Sequence, residues 1–174
     1  MKVKGHYVLW KGKIFMIHTF EPIYNEQSKI LILGTFPSVK SREGNFYYNH
    51  PQNRFWKVMS TLIGSTLPDS IEEKKKMLRQ HHIAIWDVIY SCDIIGSSDS
   101  SIQNVVPNDI AKVLNQSNIK SIYANGNKAY ELYYRFCYEK IKIDIVKLPS
   151  TSPANATYSL EKLVECWEKI IYVQ

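Results

Sequence analysis

The sequence has little cysteine, and this scarcity limits the classes of protein to which it can belong. Its three cysteines, Cys92, Cys137 and Cys166, lie far apart, and the chain has no Cys-x-x-Cys pair or Cys/His cluster. Such a set does not build the disulfide framework of a small secreted domain, and it does not supply the ligands of a structural zinc site. We therefore expect no metal site and a reducing, intracellular setting.

Long hydrophobic runs are also absent. No segment approaches the roughly 18 consecutive apolar residues that a membrane-spanning helix requires, and residues 1–6 lack the apolar stretch of a secretion signal. No repeat, low-complexity tract or linker rich in Pro, Gly and Ser is long enough to divide the chain. We expect one domain over residues 1–174, in the cytoplasm and without membrane contact.

The glycine-rich phosphate loops of many α/β proteins, Gly-x-Gly-x-x-Gly and the Walker loop, do not occur, so a generic nucleotide-binding protein is the least favoured class. The chain does carry a net charge of +6 and 13% aromatic residues. A basic surplus suits a polyanion, because Lys and Arg displace counterions from phosphates. Aromatic rings can stack on bases, although composition alone favours a place for them in the core.

Short apolar runs alternate with segments of helical spacing, which predicts an α/β fold. Most of the runs lack polar alternation, as is typical of strands buried on both faces; they are 30–33, 84–86, 119–123 and 143–148. Apolar residues at intervals of three and four predict helices over 55–62, 129–136 and 160–171. Ser70-x-x-Glu73 predicts a capping box, and Pro107-Asn108-Asp109 predicts another helix start.

This order predicts a three-layer α/β/α sandwich with a central four-stranded, mostly parallel sheet. The strand-like segments 7–10 and 14–17 flank a short turn at 11–13 and predict an additional N-terminal β-hairpin. Ligands of such folds bind beyond the carboxyl ends of the strands. The loops that follow the strands are therefore the segments in which to look for function.

The loop region after the first buried strand carries the most specific pattern. Gly-Thr-Phe-Pro-Ser at 34–38, followed by Tyr-Tyr-x-His-Pro-Gln-Asn-Arg-Phe-Trp-Lys-Val at 47–58, resembles the first motif region of two branches of the uracil-DNA glycosylase superfamily, the mismatch-specific and the hypoxanthine branch. Later segments resemble the family in the same order, at 84–93, 96–104, 125–129 and 148–155. The resemblance runs from about Phe20 to the C-terminus, and the ordered set is more specific than any one piece.

The resemblance implies a monofunctional DNA N-glycosylase that hydrolyses the N-glycosidic bond of a flipped, deaminated base and leaves an abasic site. Hypoxanthine, in deoxyinosine, is the first candidate base. The implied partner is double-stranded DNA that contains such a base; no cofactor is implied, and we expect a monomer. Two alternatives stay open: a uracil, xanthine or mismatch-specific glycosylase of the same superfamily, and a catalytically silent nucleic-acid-binding module.

The same resemblance assigns roles to individual residues. Most branches carry a catalytic Asn or Asp at the position of Phe36, but the hypoxanthine branch lacks it and uses the Asn of the His-Pro-Gln-Asn-Arg motif, which makes Asn53 the catalytic candidate. Tyr48 is expected to stack on the flipped base; the competing interpretation is an aromatic lid over the core. For Asn53 the competing interpretation is that it caps a helix. The expected base-binding residues are Gly34, Thr35, Phe36, Tyr48 and His50. The expected DNA contacts are Ser38, Lys40, Arg54, Lys128, Ser150, Thr151, Ser152, Pro153 and Ala154.

Overall fold

The computed structural model describes residues 2–4, 7–10 and 13–171 of the chain. Its strands are β1 (Lys2–Lys4), β2 (Tyr7–Trp10), β3 (Lys13–Ile17), β4 (Ile30–Gly34), β5 (Ile83–Asp87), β6 (Ile89–Asp93), β7 (Gln103–Pro107), β8 (Ser121–Asn125) and β9 (Ile145–Leu148). Its helices are α1 (Val39–Glu43), α2 (Phe55–Ile63), α3 (Ile71–Gln80), α4 (Ile110–Asn115), α5 (Asn127–Phe136), α6 (Tyr138–Ile141) and α7 (Leu160–Trp167). Short 3-10 turns cover Asp99–Ser101 and Glu168–Ile170.

The central sheet has four strands in the order β5-β4-β8-β9, and each neighbouring pair is parallel. All five residues of β4 are buried, because helices cover both faces of the sheet. The four predicted apolar runs are confirmed as its strands. The last two strands begin two residues later than predicted, at Ser121 and Ile145.

Alternate residues of β4 supply two separate cores. Ile30 and Ile32 face a cluster that includes side chains from α2, α3 and α7. Leu31 and Leu33 face a second cluster with side chains from α4 and α5. This division follows from the pleat of a strand, in which successive side chains point to opposite faces. The predicted three-layer sandwich and the predicted helices are therefore confirmed, including the capping box at Ser70 and Glu73.

A second, antiparallel sheet adjoins these layers in the order β1-β2-β3-β6-β7. The predicted hairpin is confirmed by the pairing of β2 with β3, in which Tyr7 lies opposite Met16; its turn at 11–12 lies outside the described residues. Strands β1, β6 and β7 were not predicted. Only one residue separates the end of β5 from the start of β6, so the sequence shows no boundary between these two strands. Strand β7 has no buried residue, so it lacks the apolar pattern of a strand.

Candidate active site

A cleft of about 540 Å³ opens at the carboxyl edge of the central sheet. Most of its lining comes from four chain segments: the turn after β4, the approach to α2, the loop between β6 and β7, and the loop after β9. Parallel strands bring the segments that follow them to one edge, so residues far apart in sequence meet there. The location matches the expectation that ligands bind beyond the carboxyl ends of the strands.

The floor of the cleft is a close contact between the ends of two neighbouring strands. A Cβ atom on Gly34, at the end of β4, would lie 2.2 Å from Oδ1 of Asp87 at the end of β5. No side chain tolerates so short a contact, so glycine is required here for its lack of bulk. The turn is also tied to the β5–β6 connection, where the Val88 amide donates to the Gly34 carbonyl at 2.9 Å.

The Asp87 carboxylate is held from below by His18, a residue that the sequence analysis missed. His18 Nε2 donates to Asp87 Oδ2 at 2.8 Å, and the two side chains are 1% and 6% exposed. Asn108 fixes the backbone of the same turn by donating to the carbonyls of Asp87 at 2.9 Å and Ile89 at 3.1 Å. Since His18 takes up Oδ2, the other carboxylate oxygen remains beside Gly34, where Asp87 lines the cleft.

Tyr48 lies in the cleft wall in the left-handed region, with φ of 52°. Its ring stacks on Phe55, with ring centroids 3.9 Å apart and an interplanar angle of 19°. Its buried hydroxyl has no hydrogen-bond partner among the described residues, and the nearby Asn125 amide is committed to Thr151. Burial raises the pKa of the Tyr48 phenol far above its ordinary value, and the charge of Asp87 raises it further.

Asn53 lines the same cleft, just before α2 begins. Its Oδ1 accepts a hydrogen bond from the Phe55 amide at 2.9 Å, which fixes the orientation of the side chain. The N-cap of α2 is Arg54, which makes no side-chain cap bond, so Asn53 does not cap the helix as the competing interpretation expected. Its bond to the Phe55 amide is instead a local turn ahead of the helix, and the side chain borders the cleft.

Arg54 has a role that differs from the predicted phosphate contact. Its Nη2 donates to the carbonyls of Ser152 and Asn155, both at 2.8 Å, and its Nη1 donates to the carbonyl of Tyr158. The guanidinium is therefore occupied in tying the loop after β9 to the start of α2, and Arg54 does not line the cleft. The loop is tied a second time from β8, where Asn125 exchanges hydrogen bonds of 2.9 Å with the Thr151 hydroxyl and amide.

The structure gathers most of the other predicted residues and leaves a few outside. The predicted residues that line the cleft, besides Asn53, are Gly34, Thr35, Phe36, Ser38, Tyr48, Ser150, Thr151, Ser152 and Ala154. His50, Lys40, Lys128 and Pro153 are not part of its lining. The His50 ring accepts a bond from the Gln52 amide at 3.1 Å, Lys40 pairs with Glu43 at 2.8 Å, and Pro153 is exposed.

A second carboxylate, Asp99, lies at the mouth of the cleft and comes from the loop between β6 and β7. The Thr35 hydroxyl donates to its Oδ2 at 3.4 Å. Burial among the cleft atoms raises the pKa of the Asp99 carboxyl, while the bond from Thr35 and the charge of Lys128 act in the opposite direction. No group of three or more His, Cys, Asp or Glu suited to hold a metal ion occurs in the described part of the chain.

Several contributors to the site are not among the residues expected from the sequence. Asp87 and Asn125 are each the last residue of a buried strand. A polar residue at the carboxyl end of an apolar run can be recognised in the sequence as a candidate site residue, because ligands bind at that edge of the sheet. His18 gives no such signal, because it follows the hairpin and meets Asp87 only through the antiparallel pairing of β3 with β6.

Comparison with known proteins agrees with this geometry. Residues 21–171 match the family described as the Uracil DNA glycosylase superfamily. The chain is 36% identical over 155 residues to the hypoxanthine DNA glycosylase of Methanosarcina acetivorans, covering 87% of this chain and 95% of that protein. It is 31% identical over 140 residues to the hypoxanthine DNA glycosylase of Methanosarcina barkeri, covering 78% and 86%.

A solved structure shares the fold. The solution NMR structure of a Methanosarcina acetivorans protein, proposed to be a uracil DNA glycosylase, superposes with a TM-score of 0.76 and 32% identity. The match covers 88% of this chain and 96% of that one. No helix in the described part of this chain has the length and apolar character that crossing a membrane demands. With a family match over residues 21–171 and relatives at 31–36% identity, this chain belongs to the uracil DNA glycosylase superfamily.

Proposed function

We propose that this protein is a monofunctional DNA glycosylase that releases hypoxanthine from deoxyinosine in double-stranded DNA. It acts as a monomer in the cytoplasm and leaves an abasic site. The observation that carries the proposal is the position of Asn53: its amide lies in the wall of the cleft and is oriented by its bond to the Phe55 amide. The turn after β4 places Phe36 in the same cleft and supplies no carboxylate or amide side chain of its own. The hypoxanthine DNA glycosylases at 31–36% identity support the choice of base.

The reaction breaks the C1′–N9 bond of the nucleotide and forms a bond from C1′ to a water oxygen. The water loses a proton, and the departing purine gains one. Positive charge develops on the sugar and negative charge on the base, so groups fixed in advance around both are favourable. An amide does not titrate, and Asn53 therefore contributes by hydrogen bonding to the water or the base rather than by taking a proton.

Asp87 suits the polar edge of a deaminated purine. Hypoxanthine carries a donor N1–H beside its O6 acceptor, whereas adenine has an acceptor at N1 and a donor amino group. The carboxylate oxygen of Asp87 that His18 leaves open accepts N1–H of hypoxanthine and repels N1 of adenine. A site that rejects a base by leaving a buried polar group unpaired discriminates strongly. Uracil and xanthine share this N–H and C=O edge, so they are the bases to compare.

The remaining cleft residues fit the supporting roles. The free face of the Tyr48 ring offers a surface for the flipped base, since its other face is covered by Phe55. Backbone amides of the turn at 34–36 stabilise charge on the departing base. The hydroxyls of Ser150 and Ser152, held in place by the Arg54 tie, bond to phosphates beside the lesion.

The test uses duplexes with one deoxyinosine, uracil or xanthine, treated with alkali to cleave abasic sites after incubation. We expect scission at inosine with the wild type and a fall of about 100-fold or more with Asn53→Ala, the loss typical of removing one preorganised donor. Asn53→Ser is the matched control for folding, because a serine oxygen can still accept from the Phe55 amide while the amide nitrogen is gone. Its stability should stay near that of the wild type and its activity should fall.

Each other outcome has a definite meaning. Scission at uracil alone would keep the family and overturn the choice of hypoxanthine. Full activity in both Asn53 variants would remove this residue from the mechanism. Salt-sensitive DNA binding without scission of any duplex would favour a catalytically silent nucleic-acid-binding module over a glycosylase.

A further inference from the structure

Hydrolysis of the glycosidic bond requires a group that takes a proton from the attacking water. Of the described residues that line the cleft, only Asp87 and Asp99 carry carboxylates, and no histidine is among them. The phenols of Tyr47 and Tyr48 stay protonated, because burial raises the pKa of each above its ordinary value. Asn53 carries an amide, which does not titrate. The proton acceptor in this cleft is therefore one of two carboxylates.

Asp87 lies at the floor of the cleft, away from the position of the sugar. Its Oδ2 accepts a hydrogen bond from the buried His18 at 2.8 Å, and its Oδ1 lies against Gly34. A flipped nucleotide enters such a cleft with its base first, because its sugar stays attached to the DNA backbone. The polar edge of the base thus meets Asp87, and C1′ of the sugar stays nearer the mouth.

Asp99 lies at this mouth, where water has access to it. It lines the cleft but is classed among the exposed residues of the loop between β6 and β7. The Thr35 hydroxyl donates to its Oδ2 at 3.4 Å, and its Oδ1 has no hydrogen-bond partner among the described residues. One carboxylate oxygen is thus held by the turn after β4, and the other is open to a water molecule.

The loop that carries Asp99 is fixed to the same turn by two further contacts. The buried Arg42 donates to the Gly96 carbonyl at 3.0 Å and to the Pro37 carbonyl at 2.7 Å. The Val39 amide donates to the Ser97 hydroxyl at 2.9 Å. A catalytic base must keep its place relative to the reacting atom, and these contacts give Asp99 a fixed position across from the turn.

The charges around Asp99 suit a proton acceptor. Burial raises the pKa of its carboxyl, the bond from Thr35 and the charge of Lys128 lower it, and the charge of Asp87 raises it. The nearby Cys92 thiol stays neutral, because burial raises its pKa to about 12. A carboxylate with a raised pKa binds a proton more strongly and is a more effective base.

We propose that Asp99 is the catalytic base that takes a proton from the water attacking C1′. This inference rests on the proposed glycosylase function and adds a second catalytic residue to Asn53. The water oxygen forms the new bond to C1′, and the water proton passes to Oδ1 of Asp99. The electron pair of the C1′–N9 bond leaves with the purine, which gains a proton from solvent, and Asp99 then releases its own proton to solvent. Thr35 is a positioning residue, because it holds Oδ2.

The experiment measures single-turnover release of hypoxanthine from a deoxyinosine duplex as a function of pH, with duplex lacking enzyme as the blank for acid depurination. The wild-type rate should fall as the pH is lowered and Asp99 becomes protonated. Asp99→Asn keeps the shape and an oxygen for Thr35 but takes no proton. We expect it to lose about 100-fold or more of the rate at neutral pH and to show no fall in acid. Asp69→Asn is the matched control, because Asp69 is exposed and lies outside the cleft lining.

Two further measurements separate a catalytic role from a structural one. Thr35→Val removes a hydrogen bond that lowers the pKa of Asp99, so the acid fall in rate should move to higher pH, and Thr35→Ser should restore its position. Fluorescence anisotropy should show that Asp99→Asn binds the deoxyinosine duplex at least as tightly as the wild type, because a negative charge beside the DNA is removed.

Failure of this inference differs from failure of the proposed function. Wild-type rates in Asp99→Asn, an unchanged acid fall in that variant, or a loss of DNA binding that matches its loss of rate would overturn the role of Asp99 alone. If the wild type releases uracil or xanthine and no hypoxanthine, the proposed base is wrong, and the same pH profile on the released base decides the role of Asp99. Release of no base from any duplex would overturn both.

Discussion

Adjacent tyrosines in the approach to α2 show how different two identical side chains can be. Tyr47 is 2% exposed, and its hydroxyl donates to the Glu21 carbonyl at 2.8 Å. The Tyr48 hydroxyl is equally shielded but has no partner among the described residues. A buried polar group without a hydrogen bond costs about 1–3 kcal/mol. The Tyr48 hydroxyl, at the edge of the cleft, therefore lacks the backbone partner that Tyr47 has.

This contrast predicts opposite effects of the same substitution. Tyr48→Phe should raise the free energy of unfolding by about 1 kcal/mol, because it removes the unpaired hydroxyl. Tyr47→Phe should lower it by about 1 kcal/mol, because the Glu21 carbonyl then loses its donor. Urea denaturation of both variants measures the two changes. A loss of stability in Tyr48→Phe would mean that its hydroxyl is satisfied in solution.

At the scale of elements, α2 and the loop after β9 are joined through Arg54. The planar guanidinium reaches the carbonyls of Ser152, Asn155 and Tyr158, three points on one loop. A lysine keeps the charge but not the fork geometry that allows several fixed bonds. Hydrogen bonds from a charged group contribute about 1.5–3 kcal/mol each. The loop should thus lose much of its order without Arg54.

We predict that Arg54→Lys increases amide hydrogen exchange in residues 150–158 and leaves exchange in β4 and β8 unchanged. Base release should slow by about tenfold or more, since the loop hydroxyls no longer hold their positions. Mass spectrometry after deuterium labelling locates the effect. Uniformly faster exchange across the chain would instead show that Arg54 supports the whole fold rather than this loop.

For the whole molecule, the net charge of +6 is the relevant quantity for DNA. Lys40 and Lys128 flank the cleft without lining it: Lys40 lies on α1, directly after the turn, and Lys128 lies close enough to Asp99 to lower its pKa. The ion pair of Lys40 with Glu43 is exposed and therefore weak, so Glu43 does not prevent Lys40 from binding a phosphate. Both lysines remain proposed phosphate contacts.

Each contact should contribute to the salt dependence of binding. Lys40→Ala and Lys128→Ala should each reduce the slope of log K against log salt by about 1. Lys120→Ala is the control, because Lys120 precedes β8 at the amino edge of the sheet, away from the cleft. Fluorescence anisotropy at several salt concentrations gives the slopes. An unchanged slope in either cleft variant would place the DNA path elsewhere.

The layered fold could be predicted because its cause is local. The four central strands are short apolar runs, and helical spacing marks their covering helices, so burial on both faces was visible in the residues themselves. Beyond the hairpin, strands β6 and β7 of the antiparallel sheet were missed, because β7 is partly exposed throughout and β6 follows β5 after a single residue. Neither strand has a pattern that stands apart from its surroundings.

The site divides in the same way. The motifs at 34–38 and 47–58 pointed to Asn53 and Tyr48 through their resemblance to the family, and both residues line the cleft. The pairing of His18 with Asp87 and the bonds of Arg54 to three carbonyls depend on contacts between segments separated by tens of residues. Such contacts follow from strand pairing and from the meeting of strand ends at one edge, which the tertiary structure alone decides because no local pattern encodes them.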